Sequence, residues 1–260
     1  AEGKEALKIM VDEFLYPSLK RRRELVRRHK AGEIDKKALP RDALTMICLH
    51  DKDDVGEEGG NYGAYVWQEC TFLVTAGTGT TTLTLPHVIV EISNWIKNHP
   101  EDADKIYDPA FLRASVGEAL RLHNVAPARF RTATKDLVLS TGREVSEGET
   151  LALVGPPANR EEAVFGPEPT VFNPYRKVGG GAQPWGLAFG AGAHMCCGRS
   201  LVTGLQNRTD EATGTEGTML KILRKLYEMG LELDAANPPE LSPLTYIKAY
   251  DTVPIILRKL

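Results

Sequence analysis

Between Trp185 and Val202 the chain reads "WGLAFGAGAHMCCGRSLV", a run that can continue neither as a regular helix nor as a strand. Gly190, Gly192 and Gly198 punctuate it, and each lets the backbone turn through conformations that other residues avoid and pass close to a flat, bulky neighbour. Phe189 stands ahead of these turns, His194 within them, and the adjacent Cys196 and Cys197 behind them. Any fold this chain adopts must hold an irregular loop firmly enough to present a sulfur.

The rest of the sequence bounds what can surround that loop. At 260 residues, 42% hydrophobic and 26% charged, the chain can bury a sizeable core. Its formal charge of -3 gives no basis for a nucleic-acid partner. The basic run "LKRRRELVRRHK", Leu19 to Lys30, reads either as a patch for an acidic partner or as the solvated face of an amphipathic helix, and we take the second reading. No apolar run reaches membrane-spanning length and no signal-peptide pattern is present, and four cysteines that make no disulfide framework fit a reducing cytoplasmic setting. Cys48 and Cys70 lie among apolar neighbours and read as buried thiols rather than a disulfide framework. The chain opens on Ala1 rather than Met, which reads as a preceding part removed or omitted.

Hydrophobic spacing predicts a helix over residues 4–30 and a long second helix from near Tyr62 to about Lys97, with the polar segment "HDKDDVGEEGGNYG" between them. Asp108 and Pro109 read as the cap and first turn of a helix carrying "FLRASVGEALRLHN". Short β-like runs follow, "ARFRTAT", "DLVLST" and "ETLALVG", with a turn at Thr141-Gly142 between the last two. Residues 155–186 are rich in Pro and Gly and read as ordered coil. A final helix over Met219–Met229 precedes "YDTVPIILRKL", which reads as a strand. The order predicts a mainly α fold with a minor β-sheet.

Three constellations carry chemistry. In the cysteine loop, "RSLV" after Gly198 could begin a helix whose positive end favours a thiolate. A thiolate among amide donors suits a ferric haem as axial ligand; the alternative is a pair of buried cysteines in a glycine turn. Adjacent cysteines lack the C-x-x-C spacing of a zinc site. The long helix contains "FLVTAGTGTTTLTLP", poor helix sequence in which Gly77 and Gly79 thin the helix for a planar group. There the Thr80 hydroxyl lies four residues after Ala76 and can bond its carbonyl. A Thr-rich core helix kinked at Pro86 explains the same residues. Third, Glu118 and Arg121 are spaced i, i+3 on one helical face, and Arg176 in "FNPYR" is a candidate third member.

In this order, the Ala76–Thr80 segment, Glu118-x-x-Arg121, "RTATKD", "ANREEAVFGPEPTVFNPYR" and the cysteine loop resemble the C-terminal, haem-proximal half of the cytochrome P450 family. The likeness spans roughly the middle half of the chain and looks more like the soluble bacterial branch. It implies one partial domain over 1–260, and haem b (iron protoporphyrin IX) held by Cys196 as the metal ligand. Phe189, Gly190, Gly192 and Gly198 would then surround the cofactor, with Arg131 and His194 on its propionates. Glu118, Arg121 and Arg176 resemble a structural triad, and Ala76, Gly77, Gly79 and Thr80 the oxygen-side stretch. The implied activity is monooxygenation of a small apolar substrate with O2. Its electrons come from a ferredoxin- or flavodoxin-type donor and an NAD(P)H reductase, steered in part by Arg199.

Three departures frame the alternatives. The family commonly places an acid where Gly79 stands, which admits a peroxide-driven or otherwise atypical haem-thiolate reaction. The sequence "GLQNRTDEATGTEGT" after the cysteines reads as an insertion or a broken helix. The family's long N-terminal portion has no counterpart here, which admits a truncated relative that binds no haem and has an interaction role.

Overall fold

Pro17 shapes the first helical run. In the computed structural model, which describes residues 2–50, 61–205, 215–245 and 247–258, α1 (Glu2–Ile9) passes through a π turn at Met10–Leu15 into α2 (Tyr16–Lys30). Pro17 has no N–H for the i→i−4 ladder, and the wider π turn just before it takes up the interruption. Leu19 and Val26 of α2 are buried with Leu39, with Cys48 of α3 (Ala43–His50), and with Val66 of α4 (Asn61–Asn98). The basic side of α2 faces solvent, where Arg27 pairs with Glu24 and Arg28 with Glu33. Cys48 is buried but Cys70 is only half-buried, where burial raises its thiol pKa. The polar segment at 51–60 lies outside the described residues.

Contacts divide the chain into two compact units, Ala1–Thr78 and Gly79–Leu260. The second holds the cysteine loop. Here α4 ends at Asn98, and a 3-10 stretch from Pro100 to Tyr107 leads to α5 (Pro109–Leu122). The Asp108 carboxylate accepts from the Ala110 N–H at 2.9 Å and Pro109 fills the first turn, so the start of α5 is fixed locally.

The strands form two-stranded pairs rather than one sheet. β1 (Ala128–Thr132), β2 (Leu137–Val138), β3 (Glu144–Val145) and β4 (Thr150–Val154) pair as β2–β3 and β1–β4, both antiparallel. The turn at Thr141-Gly142 therefore closes onto β3, and "ETLALVG" returns to "ARFRTAT" instead of pairing with "DLVLST". Gly148, at φ +84°, makes that return possible, and its N–H bonds the Ala133 carbonyl at 2.8 Å.

The Pro- and Gly-rich coil contains two single-turn helices, α6 (Gly155–Ala158) and α7 (Glu162–Phe165). After the cysteines, α8 (Arg199–Thr203) stops at Gly204, whose φ of +82° ends the helix. β5 (Gly204–Leu205) pairs with β6 (Thr215–Glu216), and α9 (Thr218–Glu228) follows; 206–214 lie outside the described residues. The two ends of this excursion meet. A Cβ on Gly217 would fall on the Val202 carbonyl and 2.6 Å from the Gly204 nitrogen.

β7 (Leu231–Leu233), β8 (Glu240–Leu241), β9 (Tyr250–Thr252) and β10 (Ile255–Leu257) complete the chain as pairs β7–β10 and β8–β9. The C-terminal stretch read as one strand is thus two, split at Pro254, which has no N–H for a ladder. The core of this unit gathers Val88 and Ile92 of α4, Leu112 and Val116 of α5, and Met219 and Leu223 of α9 around Phe172 and Phe189. The result is a mainly α fold with small sheets.

Candidate functional site

Two buried arginines and one glutamate anchor the coil that leads to the cysteines. Glu118 and Arg121 face each other on α5, with Arg121 Nε 2.7 Å from Oε2 and Nη2 2.6 Å from Oε1. Arg176 Nε donates to the same Oε1 at 2.7 Å, and the Asn173 N–H reaches it at 3.2 Å. One carboxylate cannot satisfy two guanidinium groups out of water, so carbonyls complete them. Arg121 Nη1 donates to Asn159 O and Pro169 O, and Arg176 to the carbonyls of Phe165, Pro167, Glu168 and Val171. The Phe165 ring lies 4.9 Å from the Arg121 guanidinium carbon. Nearby, Tyr175 donates its hydroxyl to Asp102 at 2.8 Å; desolvation and that carboxylate push the phenol up to about 12.

Asn159 and Arg129 carry this order into the cysteine loop, and sequence reasoning singled out neither. Asn159 is fully buried; its Nδ2 donates to Arg121 O at 3.0 Å and its Oδ1 accepts from the Leu187 N–H at 2.8 Å. Gly186, at φ +54°, lies so close that a Cβ there would fall 2.8 Å from Asn159 Cγ. Arg129 on β1 donates from Nη2 to Ala188 O at 2.9 Å. The available signals were "ANRE", where Asn159 stands, and the i, i+2 pairing of Arg129 with Arg131 on one face of a strand.

Within the loop, Phe189 is buried and meets Trp185 edge-on, ring centroids 5.8 Å apart. The Cys196 N–H donates to Phe189 O at 2.8 Å, closing the loop on itself. Gly190 and Gly192 adopt φ of +72° and +71°. Gly198 does not: at φ −78° it caps α8 in ordinary helical geometry, and a Cβ there would lie 3.6 Å from the Cys196 sulfur. The freedom the three glycines offer is thus used at Gly190 and Gly192 and not at Gly198, where a hydrogen leaves the sulfur clear on that side. Cys196, Cys197 and His194 are exposed. Arg131 is also exposed and donates to Phe130 O at 2.8 Å. The structure thus brings Glu118, Arg121 and Arg176 together and joins Phe189 to Cys196, while His194 makes no hydrogen bond among the described residues.

On α4, Ala76 and Gly77 belong to the first unit and Gly79 and Thr80 to the second. Gly77, Gly79 and Thr80 are exposed, and a Cβ at either glycine would meet nothing within 4 Å. Threonine back-bonding is seen along this stretch, Thr84 Oγ1 donating to Thr80 O at 2.9 Å and Thr82 to Gly79 O at 3.2 Å. Further along α4, His87 stacks on His123 at 4.1 Å, bonds Lys248 O at 2.6 Å and lies one turn from Glu91, which pairs with His123 at 2.7 Å. Burial, reinforced by His123, lowers the His87 pKa to about 4.

An exposed cysteine in a glycine loop, braced from behind by a buried Glu-x-x-Arg cluster on a helical scaffold, defines a fold that presents a sulfur. The donor set is one sulfur with the exposed Arg131 guanidinium and His194 ring as hydrogen-bond donors, and it fits a flat metal macrocycle carrying acidic side arms. The sequence matches the cytochrome P450 family model over residues 91–203. It is 27% identical to cytochrome P450-terp of a Pseudomonas species over 87% of this chain and 47% of that one. It is also 27% identical to bifunctional cytochrome P450/NADPH–P450 reductase 2 of Bacillus subtilis (strain 168), over 77% of this chain and 20% of that one. The solved structure of HmtN, a post-tailoring hydroxylase in himastatin biosynthesis, superposes with a TM-score of 0.60 at 20% identity, covering 92% of this chain and 57% of that one. The chain belongs to the cytochrome P450 family, whose members carry haem and use redox partners. It spans about half the length of P450-terp and carries part of the fold. Among the described residues no helix is long and apolar enough to cross a membrane.

Proposed function

We propose that this chain is the cysteine-bearing part of a haem-thiolate monooxygenase, its two units belonging to one partial P450 domain over 1–260. The reaction inserts one oxygen atom of O2 into a small apolar organic substrate, with two electrons from a ferredoxin- or flavodoxin-type donor and its NAD(P)H reductase in a cytoplasmic setting. The observation that carries this reading is the exposed Cys196, held by Phe189 O in a loop that Asn159 ties to the Glu118–Arg121–Arg176 cluster. Haem b, when bound, supplies the redox-active iron for oxygen chemistry.

The chain's own residues hold and orient. Cys196 would supply the sulfur that holds the iron, and Gly198 keeps space beside it. Phe189 covers one side of the loop, and Gly190 and Gly192 let the backbone lie flat against the cofactor. Arg131 and His194 would meet its propionates in charge-assisted hydrogen bonds. Glu118, Arg121 and Arg176 keep the coil rigid and touch no reactant. With glycine at 79, the Thr80 hydroxyl, following Ala76 and Gly77 in the same helical stretch, would be the group that passes a proton on the oxygen side, with water. Arg199 contributes positive charge to steer an acidic electron donor.

The reduced, CO-bound absorption spectrum of the haem-reconstituted chain tests the assignment. A strongly red-shifted Soret band is expected for the native chain and its loss for Cys196→Ser; the same band in both overturns Cys196 as ligand. Gly79 favours a second reading, in which peroxide replaces O2 and electrons. Turnover with peroxide in the absence of NAD(P)H and donor supports it, and turnover with the electron chain only removes it.

A further inference from the structure

A cavity of about 520 Å³, partly open to solvent, lies between α5, the coil at 173–185 and α8. That volume falls in the ~300–1,000 Å³ range of small-molecule sites. Val116, Pro174, Pro184, Trp185 and Leu220 give it apolar walls. Gly117 lets the coil press against the helix there: a Cβ on it would lie 3.2 Å from Pro184 Cβ, so the wall at this point is closed. Cys196 is not among the lining residues.

Among the described residues Glu118 is the one lining acid, and both of its oxygens are taken by Arg121, Arg176 and Asn173. Arg176 is saturated by that carboxylate and four carbonyls. Arg199 is different: it lines the cavity half-buried, and its guanidinium has no hydrogen-bond or ion-pair partner among the described residues. A half-buried cation facing an apolar hollow is best satisfied by an anion that brings its own apolar body.

We propose that this cavity binds an amphipathic monocarboxylate, the carboxylate on Arg199 and the tail against Trp185, Pro184 and Leu220. Trp185 and Arg199 flank the cysteines but Cys196 does not line the cavity, and binding there needs no haem, so the proposal stands or falls independently of the monooxygenase reading.

Isothermal titration of the full 260-residue chain with octanoate, decanoate and decanol tests it. Decanoate binds saturably at one site and about fifteenfold tighter than octanoate, since each of its two added buried methylenes is worth roughly fourfold. Decanol, with the same tail and no charge, binds at least tenfold more weakly. Arg199→Gln lowers decanoate affinity about tenfold and leaves decanol unchanged, because only the charge-assisted bond is lost. Ala114→Leu, which projects into the cavity from α5 one turn before Gly117, weakens both ligands. Circular dichroism melts establish that each variant is folded. No saturable decanoate binding, decanol binding equal to decanoate, or native decanoate affinity in folded Arg199→Gln each overturns the proposal.

Discussion

Replacing Glu118 by Gln keeps the side chain's shape and removes its charge at a carboxylate that accepts four hydrogen bonds. Oε1 accepts three donors, from Arg121 Nη2, Arg176 Nε and the Asn173 N–H, while Oε2 accepts one, from Arg121 Nε. The Gln oxygen therefore takes the Oε1 position, and its NH2 is left facing the Arg121 Nε–H, donor against donor. Both guanidinium groups lose their only carboxylate among the described residues, in a site where the Arg121 and Arg176 side chains are 0% and 6% exposed. Removing one partner of a buried pair costs ~3–5 kcal/mol. The carbonyls that remain on both arginines place this case at the lower end, about 3 kcal/mol. For a unit of this size that is a fall in Tm of roughly 6–12 °C. Calorimetric melts of the native chain, Glu118→Gln, Arg176→Gln and the double variant measure it, and the cycle isolates the coupling. A fall below about 2 °C, or strict additivity of the two substitutions, would refute the view that this cluster locks the coil.

Two further outcomes follow from single residues. Gly186→Ala puts a methyl group onto Asn159 in a left-handed backbone position, so it should cost more than ~1 kcal/mol and lower the urea midpoint; an unchanged midpoint removes Gly186 from the loop's supports. His87 has its pKa lowered to about 4 by burial and by His123, against 6.5 when unfolded. The unfolded chain then binds the extra proton between those values, so stability is full above pH 6.5 and falls by about 3 kcal/mol as pH drops toward 4. Denaturant titrations from pH 4 to 8 should show this acid limb flattened in His87→Gln, and an identical limb in that variant excludes His87 as its source.

What was legible in the sequence was local. Asp108-Pro109 starts α5 because a cap and a fixed φ act within one turn, and Glu118 with Arg121 meet because i, i+3 spacing leaves them side by side. What was missed is long-range. Asn159 meets the Leu187 N–H 28 residues on, and Arg129 meets the Ala188 carbonyl 59 residues on. Neither residue carries a local pattern that announces its partner, since a backbone amide or carbonyl has no sequence signature.

The sequence by itself determined that this chain has a mainly helical scaffold, a glycine-rich cysteine loop and membership of the P450 family, because residue type and spacing encode periodicity, caps and motifs. Only the tertiary structure decided which strands pair, why Pro254 divides the last strand, that Gly198 adopts ordinary helical geometry, and that Arg199 faces a cavity unpaired among the described residues. Those outcomes depend on which distant groups compete for each hydrogen bond and each buried volume, and that competition exists only once the chain has packed.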